Sequence, residues 1–438
     1  MPEPTNSYGR LFRNRNFLRV FSAGLGSVAG SSIAGVCLVW IVAIDTGSAL
    51  DVAFLAAANL VAAIVFSTLG GTFVDRYDRR RLMILSDVVR AATLGIVVVD
   101  LARFGLNLPL LLGANAIIGA FTVVFNPAEQ AIVPSLVPPA DVADANGLVR
   151  SSRSSLQFVG VAVGGILIVT VGPVWGVGVN ALTFALSAAL LTGLRVRSHL
   201  PDSGPSSAAR PGYWSDMRRG FEWLWQAQGF FQLTMSAMFF NFSSTLIGTF
   251  LVFYATLVLH GSAAVFAALL AAEVAGTAIG ALLVGRVGAV RYAGKAWVVP
   301  YGVVSGAVAL LLPLVVYAPV DIAALFVLGV LGGFAGTAWL TAAQLLVPTE
   351  MQGRYFGIDS LGSVAILPAA QIGGALLIDA VATRETYLIA AVLWMVAGVA
   401  FLFAPAMWRL GVPPSDPSSR TGADAVGTPG SLEGTRPG

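Results

Sequence analysis

The residues best suited to chemistry in this chain are few, and most sit in apolar company. Glu273 stands in the run Leu-Leu-Ala-Ala-Glu273-Val-Ala-Gly276. A carboxyl in such surroundings is expensive to ionise, which suits a proton carrier or a cation contact. The alternative is a structural glutamate, permanently protonated or hydrogen-bonded. A second constellation is Gly71-Thr-Phe-Val-Asp75-Arg76-Tyr-Asp78-Arg79-Arg80-Arg81. Its glycine permits close helix approach, while Asp75, Arg76, Arg79 and Arg80 can make charge-assisted bonds across a seam. A latch of that kind holds one arrangement of two bundles and breaks in the other, biasing a two-state equilibrium. Alternatively, the arginines only fix topology. Glu129 is placed to join the latch through the arginine cluster or Arg150, and Asp359 is similarly placed. Asp87 and Arg90, at i,i+3 spacing, read as a structural pair. Arg150 and Arg153 read as snorkelling residues at the start of an apolar stretch.

Other chemistries lack their residues. There is one cysteine, and the two histidines, His199 and His260, lie far apart, so neither a disulfide framework nor a cysteine- or histidine-based metal site is expected. No phosphate-binding Gly-x-x-x-x-Gly-Lys-Ser/Thr occurs, and the only lysine is Lys295. No apolar stretch carries a cluster able to form a catalytic triad. The expectation is a protein without cofactor or enzymatic activity, driven by an ion gradient or by the gradient of its own cargo.

The elements that must position these residues follow from composition. Of 438 residues 57% are hydrophobic and 11% charged, with mean hydropathy +0.82. Soluble domains carry about 25% charged residues, so this chain is too poor in charge to cover a water-facing surface. Lipid is the solvent that fits. Twelve apolar stretches lie at about 20–44, 51–74, 82–102, 108–127, 150–171, 175–194, 231–258, 263–285, 296–317, 321–346, 356–380 and 386–407. Each is long enough for the ~30 Å of a bilayer core. Of 25 Lys and Arg, Arg103 and Arg384 fall on one set of connections and Arg90 within the third span; the other 22 mark the opposite side, predicting both termini inside. The predicted organisation is a cytoplasmic N-terminus at 1–19, a six-helix bundle at 20–194, a linker at 195–230, a second bundle at 231–407 and a disordered cytoplasmic tail at 408–438. The linker begins Pro/Ser-rich and turns aromatic and basic. There Trp214, Phe221 and Trp225 share a helical face with Arg218, as an interfacial helix or a plain connector would.

An internal repeat relates the bundles. Gly70-Gly71 recurs as Gly280-Ala281, Val133-Pro134 as Val347-Pro348, and Gly164-Gly165 as Gly373-Gly374, at offsets of 210, 214 and 209. Two parallel repeats joined by a linker are the layout of transporters that bind cargo between halves.

The Gly71–Arg81 segment resembles the signature Gly-x-x-x-Asp-Arg-x-Gly-Arg-Arg of the major facilitator superfamily, with Asp78 in place of the usual glycine. The resemblance covers residues 10–410. Asn126-Pro127-Ala128, Gln130-Ala131-Ile132-Val133-Pro134, Leu136-Val137-Pro138, Ala145-Asn146 and Phe221-Glu-Trp-Leu-Trp225 are similar to the branch with the enterobactin exporter and macrolide efflux proteins. Gly160, Gly164 and Gly165 fall where antiporters of the superfamily show Gly-Pro-x-x-Gly-Gly, with Val161 at the proline position. Pro368, Gly373 and Gly374 would supply a kink and close packing in the eleventh span. The resemblance implies an all-α fold of twelve transmembrane helices in two pseudo-symmetric bundles. It further implies a monomeric secondary exporter of amphipathic or hydrophobic small molecules (drug, macrolide or siderophore-like), working by alternating access in the cell membrane. Protons are the implied coupling ion, the bilayer is the only other partner, and no nucleic acid is involved. Asn241 and Gln344 are the positions it marks for cargo contact. Uptake of a nutrient or lipid on the same fold, and a non-transporting receptor or scaffold, stay open as alternatives.

Overall fold

The computed structural model describes residues 7–194, 213–287 and 297–408, and side chains except at 67–76, 213–217, 287, 297–300 and scattered positions within 349–365. The N-terminal residues before Ser7, the first part of the linker with Lys295 beyond it, and the tail after Trp408 lie outside the described residues. Every described element is helical.

A short helix, Ser7–Arg13, precedes the first span, Arg15–Thr46. Asn14 caps that span, accepting from the backbone N–H groups of Asn16 and Phe17 at 3.0 and 3.1 Å. The spans that follow are Ala49–Arg76, Arg79–Phe104, Leu108–Leu136, Val142–Thr170 and Pro173–Thr192. The linker helix is Tyr213–Gln226. The seventh span, Gln228–Thr249, bends by 46° at Phe250 and continues as Leu251–Val258. The eighth is Ala263–Val287. The ninth starts as a π-helix, Trp297–Val304, and continues as Ser305–Ala309 and Leu311–Val315. Ala318–Leu346, Thr349–Val381 and Thr383–Leu402 complete the set.

Nine of these helices are long and apolar enough to cross a membrane; the bent seventh makes a tenth. The ninth and eleventh contribute shorter apolar helices, Tyr301–Val315 and Ile366–Val381. Many large apolar side chains face outward, among them Leu282, Val396 and Ile166. Lipid is the medium in which such a surface costs nothing. The chain is a multi-pass membrane protein.

Packing repeats with a shift of six. In the first half the first span packs on the fifth and sixth, the second on the fourth, and the third on the fourth and sixth. In the second half the seventh packs on the eleventh and twelfth, the eighth on the tenth, and the ninth on the tenth and twelfth. The halves meet mainly through the fifth with the eighth and the second with the eleventh, again a pair related by six. The repeat read from the sequence is thus a repeat of contacts. Packing also adjusts its register. Gly164 presses on the first span at Ile33, and Gly374 presses on the seventh at Leu246 and Phe250. The structural offset in this helix is therefore 210, and nothing stands within 4 Å of a Cβ built at Gly373.

Two expected boundaries move. The fourth span continues to Leu136 with Pro127 and Pro134 inside it, and the fifth begins at Val142. Arg150 and Arg153 consequently lie within the fifth span and do not begin it.

Candidate functional site

At one end of the bundle, called here the basic end, lie Arg10, Arg13, Arg15, Arg19, Arg79–Arg81, Arg286 and the linker helix. The side chains of Gly71, Asp75 and Arg76 are outside those described. Asp78 caps the third span: its Oδ1 accepts from the Arg81 backbone N–H at 2.9 Å. The residue that departs from the family signature thus has a local structural job. Arg79 donates to the Ala131 carbonyl of the fourth span at 2.9 Å. Arg80 donates to the Leu191 carbonyl at 3.0 Å and to that of Thr192. The last two carbonyls close the sixth span, where helix ends leave acceptors unpaired and carry partial negative charge. Both arginines bond inside the first half. Nearby, Arg10 forks onto Asp141 at 3.0 and 2.5 Å, tying the N-terminal helix to the start of the fifth span. That bond raises the Arg10 pKa above an already high value, so the guanidinium stays charged throughout the physiological range.

Deeper in the first half, four charged side chains converge. Asp87 and Arg90 of the third span pair at 2.5 Å, and the Ser187 hydroxyl of the sixth donates to Asp87. The Arg90 guanidinium is held between the rings of Phe125 and Phe184, 4.5 and 4.3 Å from their centroids. One turn nearer the basic end, Glu129 of the fourth span pairs with Arg153 of the fifth at 2.7 Å. Among the described residues Glu129 therefore pairs with Arg153, and not with Arg79, Arg80, Arg81 or Arg150. It is only 3% exposed and fits because Gly24 of the first span has no side chain: a Cβ there would fall on the Glu129 carboxylate. Two positive and two negative charges balance, which offsets the cost of burying them.

The two arginines border a cavity of about 350 Å³ lined by Ser27, Ser31, Arg90, Thr122, Asn126, Arg153, Gln157 and neighbours. A second cavity, about 340 Å³, shares Ser31 and Thr122 and reaches Asn59, Asn115 and Asn180. Asn115 donates to the Leu55 carbonyl at 2.6 Å. Sequence reasoning takes Arg153 for a snorkelling residue and misses both its pairing with Glu129 and the cavity it lines. A signal was present: Ser27 and Ser31, Thr122 and Asn126, and Arg153 and Gln157 are all i,i+4 pairs on three different helices.

In the second half, Glu273 lies midway along the eighth span, partly buried, and forms no ion pair among the described residues. Its helix is pressed against the tenth by a reciprocal glycine seam. Cβ atoms on Gly276 and Gly280 would fall on the carbonyls of Phe326 and Val330; those on Gly329 and Gly333 would fall on the carbonyls of Glu273 and Thr277. Both helices carry Gly-x-x-x-Gly, the spacing that lets backbones touch. That pattern was visible in the sequence and was not among the expected packing residues. Gly119 does the same against the Asn59 carbonyl in the first half.

The other expected residues are dispersed. Asn241 is partly buried in the seventh span, and Gln344 is exposed near the basic end of the tenth. Neither lines the two cavities above. Asp359 is buried in the eleventh span, with its Oδ1 unpaired among the described residues. Pro368 sits inside that helix. Gly160 and Gly164 press on the first span at Ala29 and Ile33. Gly165 faces the other half: a Cβ there would lie 2.7 Å from that of Ala267 in the eighth span. Beside this contact Trp40 stacks on Phe266 at 5.4 Å. Both contacts lie toward the end opposite the arginines.

Comparison with known proteins completes the description. Residues 20–367 match the family model described as Major Facilitator Superfamily. The chain is 26% identical over 430 residues to the multidrug efflux pump Tap of Mycobacterium tuberculosis strain H37Rv, covering 92% of this chain and 97% of that protein. It is 24% identical over 229 residues to macrolide efflux protein A of Streptococcus pyogenes, covering 52% and 55%. Among solved structures, a bacterial homologue of the human lysosomal transporter Spinster, inward-facing and unoccupied, superposes with a TM-score of 0.66 at 14% identity over 92% of this chain and 99% of that one. The nucleoside transporter NupG gives 0.67 at 13% identity over 90% and 99%. At these identities the superpositions establish the fold.

Proposed function

The chain belongs to the Major Facilitator Superfamily, and on that premise we propose that it is a secondary active exporter of amphipathic or hydrophobic small molecules, coupled to proton antiport. Membership makes it a transporter of small-molecule cargo and not an enzyme. The efflux pumps it resembles support the outward direction and the drug- or macrolide-like cargo. Alternating access is supported by the contacts between halves. Two helix pairs related by the internal repeat carry most of the inter-half contact, so either end can close by rocking about them. With Gly165 against Ala267 at the end away from the arginines, the described arrangement favours closure there. The concentration of basic residues on one set of connections supports placing the basic end and both termini in the cytoplasm of a monomer embedded in the cell membrane.

The observation that carries proton coupling is Glu273, a mid-span carboxyl with no cationic partner among the described residues. Without a fixed counter-charge among the described residues, it can be neutralised by taking up a proton or by meeting a mobile cation. The paired carboxylates Asp87 and Glu129 already have their cations. In this reading the Arg79 and Arg80 bonds, with Glu129–Arg153, hold the first half rigid, while Gly71, Asp75, Arg76 and Asp359 form the latch to the second half. Asn241 and Gln344 are assigned to cargo.

The test is Glu273→Gln in proteoliposomes under an imposed pH gradient. The variant should fold and exchange cargo down its own gradient but lose pH-driven accumulation. Normal pH-driven accumulation by the variant removes Glu273 as carrier.

A further inference from the structure

The linker helix Tyr213–Gln226 has two faces with different fates. Its inner face is fixed to the protein. A Cβ on Gly220 would come within 3.0 Å of Arg354 and 2.8 Å of Ile358 on the eleventh span, Leu224 is buried, and Trp223 packs edge-on against Tyr355. Its outer face carries Phe221 and Trp225, 52% and 62% exposed, followed around the helix by Arg218, Glu222 and Arg219, all exposed. At 100° per residue the two aromatics are adjacent, and the charged residues occupy the next sector. Trp225 also meets Phe231 of the seventh span, ring to ring at 5.0 Å, and Phe239 further along that span is 59% exposed. The aromatic sector is therefore continuous with a membrane-facing surface, with Arg218 at its rim and Arg219 further round the exposed charged sector.

We propose that this helix is a seat for anionic lipids in the leaflet at the basic end. Phe221 and Trp225 enter the acyl boundary, and Arg218 and Arg219 meet the headgroup phosphates. A helix with an apolar sector bounded by basic residues lies in the interface in this way. Continuity with the seventh span identifies the occupant as the leaflet and not a soluble protein, which would need the aromatic face clear of lipid. Glu222 bonds Arg218 at 2.8 Å and shares its charge, so Arg219 is the stronger phosphate ligand. The seat is attached through Gly220 and Trp223 to the eleventh span, so lipid binding bears on one of the four helices that chiefly join the halves.

The experiment uses the full chain with Cys37→Ser, which removes its one cysteine, and Trp225→Cys as the reporter. The protein is reconstituted in phosphatidylcholine vesicles with or without phosphatidylglycerol, and labelling by a water-soluble maleimide is timed. A basic residue at an anionic surface contributes roughly fivefold in partitioning. Phosphatidylglycerol should slow labelling by about fivefold through Arg219, rising toward about thirtyfold with Arg218. Arg218→Gln with Arg219→Gln should restore the phosphatidylcholine rate, and soluble glycerol phosphate should give no protection. Equal rates in both lipids, protection that survives loss of both arginines, or protection by the soluble anion overturns the proposal. Phe221→Cys reports the same face if Trp225→Cys folds poorly. The readout does not involve transport, so it stands or falls apart from the export reading.

Discussion

Gly165→Val strikes the contact between the halves directly. In the structure a Cβ at Gly165 would lie 2.7 Å from the Ala267 Cβ, with the Ala267 Cα at 3.1 Å. Carbon atoms rest at about 3.5–4.0 Å, so the fifth and eighth spans must part by roughly 1 Å at this point. Overpacking of that kind costs about 1–3 kcal/mol. The cost falls only on arrangements in which these spans are closed at the end away from the arginines. The equilibrium should therefore shift about 5- to 150-fold toward opening there, at 1.4 kcal/mol per factor of ten. Pulsed electron-spin distance measurements read the shift, with nitroxides on Thr170→Cys and Ser262→Cys in a Cys37→Ser background. Thr170 ends the fifth span and Ser262 precedes the eighth, and both are exposed. The longer-distance population should grow. Gly373→Val, with open space around it, should leave the distribution unchanged. If Gly165→Val gives the parent distribution, this contact does not govern closure and the rocking account is wrong.

Three further outcomes follow from the packing. Arg153→Gln leaves Glu129 buried without its cation and should destabilise the protein by about 3 kcal/mol. Adding Glu129→Gln should recover most of the loss, as read from thermal denaturation in detergent. Gly280→Leu drives a side chain onto the Val330 carbonyl, a backbone atom that cannot step aside, and should abolish folded protein in size-exclusion chromatography. Gly285→Leu, with nothing within 4 Å, should elute as the parent does. Asp78→Ala removes the N-cap of the third span and should cost about 1 kcal/mol in the same denaturation assay, whereas Asp78→Gly, the residue usual in the family signature, should cost only a few tenths.

Sequence alone carried the architecture because lipid imposes a coarse rule: long apolar runs, with arginine on one side. It misjudged places where helices continue through polar residues. Val142–Leu148 is helical yet too polar to register as a span, so Arg153 was put at a helix start when it lies eleven residues inside. Pro127 and Pro134 were natural stops, but the fourth helix accommodates both, and Glu129 lies inside it. The winding of the ninth span was invisible for another reason: hydropathy is the same in a π-helix and an α-helix. For the site, the Asp87–Arg90 pair was legible because both partners share one helix. The Glu129–Arg153 pair was not, because its partners are 24 residues apart on different helices and Gly24 of a third helix makes their space. Glu273 stood out by its solitude, which sequence reports well. What surrounds it depends on a helix seam whose glycines signal closeness without naming their partner.

The most direct measurement of the account is transport by the purified protein in sealed vesicles, with a lipophilic fluorescent drug as cargo. A pH gradient, acid on the side to which cargo is delivered, should accumulate the drug there above its equilibrium level. Reversing the gradient should reverse the accumulation, and a protonophore should abolish it. Drug that merely equilibrates whatever the gradient, or accumulates equally with the gradient collapsed, would contradict proton-coupled export.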